Sequence, residues 1–275
     1  MHSSQPLTSP DRTAFNSVSA ELLGIDRLGV AFSGGVDSAV LLAVAARTLG
    51  PDHVVALIGV SPSLAAHELA IARSLASDIG VEAIEFDPGE TDMPAYRANG
   101  LDRCYHCKSA LFQMIDDSII AAHHLDAVAY VENADDSVAP DRPGGRAATE
   151  HRVLRPLSRA GLTKARVRSL ARALDLPVAD KPAAPCLASR IPYGQEVTPL
   201  KLRQIEDAES VLRVHGFSDC RVRHHGDIAR IELPAAEIAR LADDDLRREV
   251  LTGCAKPDSP TSPSTWQVCN RVCSV

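Results

Sequence analysis

No run in the 275-residue chain approaches the roughly 18 consecutive apolar residues of a membrane-spanning helix; the longest, residues 39–46, stops at Arg47. The opening MHSSQPLTSPDR has no basic start followed by an apolar core, so no export leader is expected. Seven cysteines is an odd number, and without export they do not read as a disulfide framework. The expected compartment is therefore the cytoplasm. An excess of positive charge is also lacking. At a formal net charge of −7 the chain has no general attraction for polyanions, so neither nucleic acid nor a membrane is an expected partner. Lysine is scarce, with 5 against 24 arginines. Arginine grips phosphate or carboxylate bidentately, which makes paired arginines candidate anion ligands. No Gly-Lys pair occurs, which excludes the Walker loop of ordinary ATPases. There is no internal repeat. What is present, 45% hydrophobic and 24% charged residues, suits a globular chain of one large or two modest domains.

Short apolar runs at 28–32, 53–60, 81–86 and 126–131 read as buried strands. They alternate with helical patterns at 12–23, 38–49, 64–79 and 106–124, and this alternation predicts an α/β fold with a parallel sheet. Residues 182–194 carry three prolines and read as an ordered loop. A helix at 198–215, a hairpin at 221–225 and 228–233 around a His-Gly-Asp turn, and a helix near 235–250 predict a smaller α+β domain. The expected division is an N-terminal arm and helix at 1–24, a nucleotide-binding domain at 25–180, the smaller domain at 181–252 and a disordered tail at 253–275.

The sharpest motif is Ser33-Gly34-Gly35-Val36-Asp37-Ser38, directly after the first strand and opening a helix. Glycines let successive N–H groups turn toward one anion, the helix N-terminus adds a favourable dipole, and the serine hydroxyls can donate to phosphate oxygens. Asp37 cannot favour bare phosphate and implies a bridging Mg²⁺. The hexapeptide resembles the PP-loop of the N-type ATP pyrophosphatases, which implies ATP, loss of pyrophosphate and adenylation of an acceptor.

A second motif, Pro185-Cys186-Leu187-Ala188-Ser189-Arg190, sets one cysteine in a Pro-rich loop with a guanidinium four residues on. Lone cysteines are commonly inert and buried; the arginine and the polar, exposed type of sequence favour a reactive thiolate here. The segment through Ile191-Pro192-Tyr193-Gly194 resembles the signature of the LarE family, the ATP-dependent sacrificial sulfur transferases. Further segments agree in order over roughly residues 15–250: Arg103-Cys104-Tyr105-His106-Cys107-Lys108, Asn133 to Asp136, Arg142-Pro143-Gly144, Ala160-Gly161-Leu162-Thr163-Lys164, Arg168, and Arg221-Val222-Arg223 with Ala229-Arg230-Ile231-Glu232. Two stretches depart: Val131-Glu132-Asn133 replaces a Gly-Thr-Asn-like run, and the family's closing Gly-Tyr-Arg-x-Gly-Ser segment is missing from the last twenty or so residues.

The resemblance implies a PP-loop ATP pyrophosphatase fold (Rossmann-like, adenine nucleotide alpha-hydrolase-like) with Ser33, Gly34, Gly35, Asp37 and Ser38 on ATP and pyrophosphate. It implies Cys186 as the sulfur donor, and Ser189, Arg190, Arg221 and Arg223 on the acceptor's phosphate or carboxylates. The implied acceptor is a pyridinium-3,5-dicarboxylate mononucleotide in nickel-pincer nucleotide biosynthesis, for maturation of lactate racemase and related enzymes. Implied partners are that nucleotide, other proteins of the same pathway and a second copy of the chain in a homo-oligomer. Cys104 and Cys107, at i and i+3, fit structural cysteines, a redox pair, or metal or iron–sulfur ligands, the cluster not being favoured. Glu206 and Glu209, one turn apart, could hold a metal but read better as solvated helix carboxylates. His224 and His225 read as structural. A tRNA thiolase or another amidating PP-loop enzyme is the rival; it would need an RNA-binding module and usually a catalytic cysteine pair. An ATP-binding protein without chemistry is the third reading.

Overall fold

The computed structural model describes residues 7–137, 143–255, 267–268 and 273–274. The chain forms two compact units, Met1–Glu90 with Asp102–Ala184, and Thr91–Leu101 with Pro185–Val275. Among the described residues no helix is long and apolar enough to cross a membrane.

The first unit is built on four parallel strands, β1 (Leu28–Ala31), β2 (Val54–Gly59), β3 (Glu82–Phe86) and β4 (Ala127–Ala129), in the order β3-β2-β1-β4. β1 lies in register with both neighbours, Val30 facing Ala56 on one side and Ala129 on the other. Its four residues are all buried, as a central parallel strand covered on both faces requires. Helix α1 (Ser9–Ala20) is capped by Thr8, whose hydroxyl accepts from the Asp11 N–H. α2 (Val36–Leu49) is buried from Ser38 to Ala46 without a break, the pattern of a helix enclosed by its surroundings. α3 (Ala66–Ile79) follows β2. α4 (Arg103–Met114) starts earlier than the sequence pattern predicts. It then passes through a π-helical turn (Ile115–Ile119) and a last turn (Ile120–His123) that stops where His124 takes a left-handed conformation. α5 (Pro143–Glu150) and α6 (Lys164–Ala173) also belong to this unit, with single turns at Ala134–Ser137 and Pro156–Arg159.

The second unit centres on α7 (Pro199–Val214) and the antiparallel hairpin β5 (Arg221–His225) with β6 (Ile228–Leu233). Leu202, Ile205, Leu212, Phe217, Val222 and Leu233 are buried there. The helix expected near 235–250 is divided into two short turns, Ala235–Ile238 and Ala239–Ala242, and a separate α8 (Asp244–Ala255). The expected disordered tail falls largely outside the described residues. Its described part instead supplies two short strands, β7 (Gln267–Val268) and β8 (Cys273–Ser274), both parallel to β6. Residues 91–101, which the sequence pattern leaves with the first domain, fold into this unit. The fully buried Asn99 holds them there, its amide donating to the carbonyls of Pro192 at 2.8 Å and Gln195 at 2.9 Å.

Candidate functional site: an anion loop and a held cysteine

β1 ends in Ser33-Gly34-Gly35, and α2 opens with Gly35 as its N-cap and no side-chain cap bond. The first N–H groups of α2 are thus left for an incoming anion, at the positive end of the helix dipole. Gly34 has φ +69, and a Cβ there would stand 3.0 Å from Ala72 Cα on α3, so both conformation and space demand glycine. The hydroxyls of Ser33 and Ser38 lie 3.3 Å apart, and Ser38 donates to the Gly35 carbonyl at 3.0 Å. All five expected loop residues therefore converge on one turn.

Asp37 stands in the first turn of α2. Its Oδ2 accepts from Lys164 Nζ at 2.5 Å, while its Oδ1 is buried and has no partner. An orphaned carboxylate oxygen beside uncapped amides fits a divalent cation shared with phosphate oxygens. Among the described residues no cluster of three or more His, Cys, Asp or Glu could hold a metal by itself. Phosphate and water would therefore complete the shell, as they commonly do for Mg²⁺.

Lys164, which the sequence reading names only within a matching segment and gives no role, joins the candidate site through its bond to Asp37. It is the first residue of α6, where its backbone N–H donates to Asp135 Oδ2 at 2.8 Å. A second lysine behaves alike: Lys181 Nζ lies 2.5 Å from Glu68 Oε2. Glu68 sits four residues before Ala72, on the α3 face that meets Gly34. Two of the five lysines are thus paired with carboxylates around the loop. Burial works to raise the Glu68 carboxyl, yet bonds from His67 and Lys181 hold it below its ordinary value. The departure at Val131-Glu132-Asn133 places a buried Glu132 3.6 Å from Arg155, and Asn133 Oδ1 accepts from the Asp136 N–H at 3.1 Å. Arg142 lies outside the described residues.

In the second unit Cys186 is exposed and caps a single 3₁₀ turn, Leu187–Arg190. Arg190 is 6% exposed and its guanidinium is fully engaged. Nε and Nη2 grip Glu209 at 2.8 and 3.2 Å, and Nη1 reaches the carbonyls of Pro185 and Cys186 and the Ser189 hydroxyl. The expectation that Arg190 offers a free cation to an acceptor is therefore revised, because it holds the cysteine loop. Glu209 is likewise not a solvated carboxylate. It is 1% exposed and also accepts from the Val222 N–H at 3.0 Å. Glu206 keeps its own contacts.

The hairpin register sets Arg223 opposite Arg230 and Arg221 opposite Glu232. Glu232 accepts from Arg223 Nε at 2.9 Å and Arg230 Nη2 at 2.7 Å, and these bonds outweigh burial in holding its carboxyl low. Arg223 Nη1 also donates to the Ser189 carbonyl at 3.0 Å. Three arginines thus share a face with one carboxylate, leaving net positive charge. Arg230, whose Nε is buried without a partner, is the member that the sequence reading names within a matching segment but gives no site role. His224 is buried and bonded to Gln204, its pKa depressed by burial and then by Lys201. Cys220 is buried, which pushes its thiol up to about 11 and leaves it inert. Cys104 and Cys107 lie on α4 in the first unit, neither of them in a disulfide, the former exposed.

The asparagine synthase family pattern matches residues 15–129. An uncharacterised protein of Synechocystis sp. is 40% identical over 220 residues, covering 80% of this chain and 81% of that protein. The pyridinium-3,5-bisthiocarboxylic acid mononucleotide synthase of Lactiplantibacillus plantarum is 36% identical over 221 residues, 80% of this chain and 79% of that one. An uncharacterised protein of Methanocaldococcus jannaschii is 27% identical over 209 residues, covering 74% and 76%. The family match, together with a parallel sheet whose first strand runs through a glycine turn into an uncapped helix, defines an ATP-using PP-loop protein of the adenine nucleotide alpha-hydrolase-like fold. Within that class, the chain belongs to the LarE family.

Proposed function

We propose that the protein is an ATP-dependent sacrificial sulfur transferase acting on a pyridinium-3,5-dicarboxylate mononucleotide, in cytoplasmic biosynthesis of a nickel-pincer nucleotide. The observation that carries this reading is Cys186 itself. It is an exposed thiol at the cap of a turn whose backbone is gripped by a buried arginine, in a chain that also has an uncapped anion loop. The relative from Lactiplantibacillus plantarum, named for a bisthiocarboxylic acid mononucleotide, supports the acceptor class.

The loop from Ser33 to Ser38 binds the β- and γ-phosphates of ATP through backbone N–H groups and hydroxyls. Asp37 would hold Mg²⁺, and the ion would supply neutralisation of the charge on the leaving pyrophosphate. Lys164 exchanges its bond to Asp37 for one to a phosphate oxygen. A carboxylate oxygen of the acceptor attacks the α-phosphorus, and pyrophosphate leaves. The Cys186 thiolate then attacks the activated carbonyl carbon and expels AMP, giving a thioester. Loss of the Cys186 Cα proton breaks the Cβ–S bond, leaving a thiocarboxylate and dehydroalanine at position 186. Arg221, Arg223 and Arg230 offer the acceptor a cationic face. Homo-oligomers and contact with other proteins of the pathway belong to the same reading.

Cys186→Ala tests it. The variant should release pyrophosphate when given ATP and acceptor but form no thiocarboxylate. Thiocarboxylate from Cys186→Ala would exclude Cys186 as the donor.

A further inference from the structure

We propose that Arg190 and the Ser189 N–H form an oxyanion hole for the carbonyl of Cys186 itself, which makes Arg190 a catalytic residue of the carbon–sulfur cleavage. The proposal rests on the reading above that Cys186 is the sulfur donor. Two donors converge on the Cys186 carbonyl oxygen, the Ser189 N–H at 2.9 Å and Arg190 Nη1 at 3.2 Å. Only one is needed to satisfy a 3₁₀ turn; the other is a guanidinium brought in by a buried carboxylate.

Elimination requires a proton to leave Cα of Cys186. That carbon lies next to the Cys186 carbonyl, so as the proton departs the electron pair spreads onto the carbonyl oxygen as an enolate. Collapse of the enolate re-forms the C=O bond and makes the Cα=Cβ bond. The Cβ–S pair moves to sulfur, which departs in the thiocarboxylate. The proton goes to hydroxide or another base carried by water, to which an exposed Cys186 is open. A peptide Cα–H is a very weak acid, and donors already aimed at the developing oxyanion are the means by which a protein lowers such a barrier.

Glu209 is the positioning residue. It fixes the guanidinium by two bonds, and it is itself fixed by the Val222 N–H and by Arg213 at 3.5 Å. Stability alone does not account for the arrangement, since well-packed apolar residues often replace a buried ion pair with no loss. Apolar residues could not donate to the carbonyl.

The test compares wild type with Arg190→Met/Glu209→Met, which removes the pair without stranding a buried charge, and with Arg190→Lys, which keeps the charge opposite Glu209. Each full-length protein receives ATP and pyridinium-3,5-dicarboxylate mononucleotide and is followed by intact mass. The expected result is that the acyl thioester on Cys186 accumulates, and that its decay to dehydroalanine slows by about a hundredfold. Should the double variant not fold, Arg190→Lys decides. Two results overturn the proposal: dehydroalanine forming at the wild-type rate, or slower thioester formation with no accumulation, which would mark a loop-holding role only. Failure of the underlying reading looks different, because wild type itself would then pass through no adduct on Cys186.

Discussion

Glu90 is 2% exposed; Ser61 donates to its Oε1 at 2.5 Å, and its Oε2 has no partner. Burial raises its carboxyl above the ordinary 4.5, although the Ser61 bond works in the other direction. A raised folded value favours the protonated acid, so its contribution to stability is complete below pH 4.5 and is lost as pH rises through the folded value. Glu90→Gln keeps the acceptor and removes the charge. It should raise the Tm measured at about pH 8 and change it little at about pH 4; an equal loss at both would contradict a buried acid. Asp37 is the second test at this scale. Asp37→Asn should slow pyrophosphate release roughly a hundredfold or more in a folded protein, because the proposed metal contact at the phosphates would be lost. Unchanged adenylation in the folded variant would remove Asp37 from the site. The loop residues and Cys186 were legible because each motif is contiguous. Lys164 was not, because its bond to Asp37 joins residues 127 positions apart. Glu209 was misjudged for a related reason: i, i+3 spacing puts two carboxylates on adjoining positions of a helix but does not say that an arginine from another element will bury one of them.

The loop and helix that form the anion cradle make a sharp prediction about their glycines. Gly34→Ala should destabilise the protein by about 1–2 kcal/mol for the left-handed backbone alone, and more where the new Cβ presses on Ala72. Gly35 has φ −81, and a Cβ there would meet only Ser33 Oγ at 3.5 Å. Gly35→Ala should therefore leave Tm nearly unchanged, and thermal unfolding of the two variants separates these expectations. Strands were the most legible elements. The hairpin at 221–225 and 228–233 has the bounds its pattern predicts, because Gly226, at φ +67, fixes the turn and the alternation fixes the face. The helix expected at 106–124 was less legible. Its apolar spacing does not register a start at Arg103 or a π-helical turn at 115–119, which depend on packing rather than on local propensity. The two short strands in the described part of the tail have no apolar periodicity to announce them, since strands of two residues need only a neighbour's open edge.

On the scale of the whole molecule, the two halves of the proposed chemistry lie in different compact units, ATP activation in the first and sulfur donation in the second. The parallel sheet that carries the loop was legible from strand–helix alternation. The capture of residues 91–101 by the second unit was not, since Asn99 acts through three carbonyls more than ninety positions away. A sacrificial donor has a consequence that no recycled catalyst shares. An ordinary nucleophile is regenerated, so product exceeds enzyme. Loss of sulfur from Cys186 leaves an alkene that proton transfer cannot restore. The most direct measurement titrates thiocarboxylate against protein in the presence of excess ATP and acceptor without added sulfide, with intact and peptide mass recorded on the same samples. The account predicts at most one sulfur transferred per chain and a protein lighter by one H₂S, the loss confined to the peptide that contains Cys186. Several thiocarboxylates per chain, with Cys186 unchanged in mass, would contradict it.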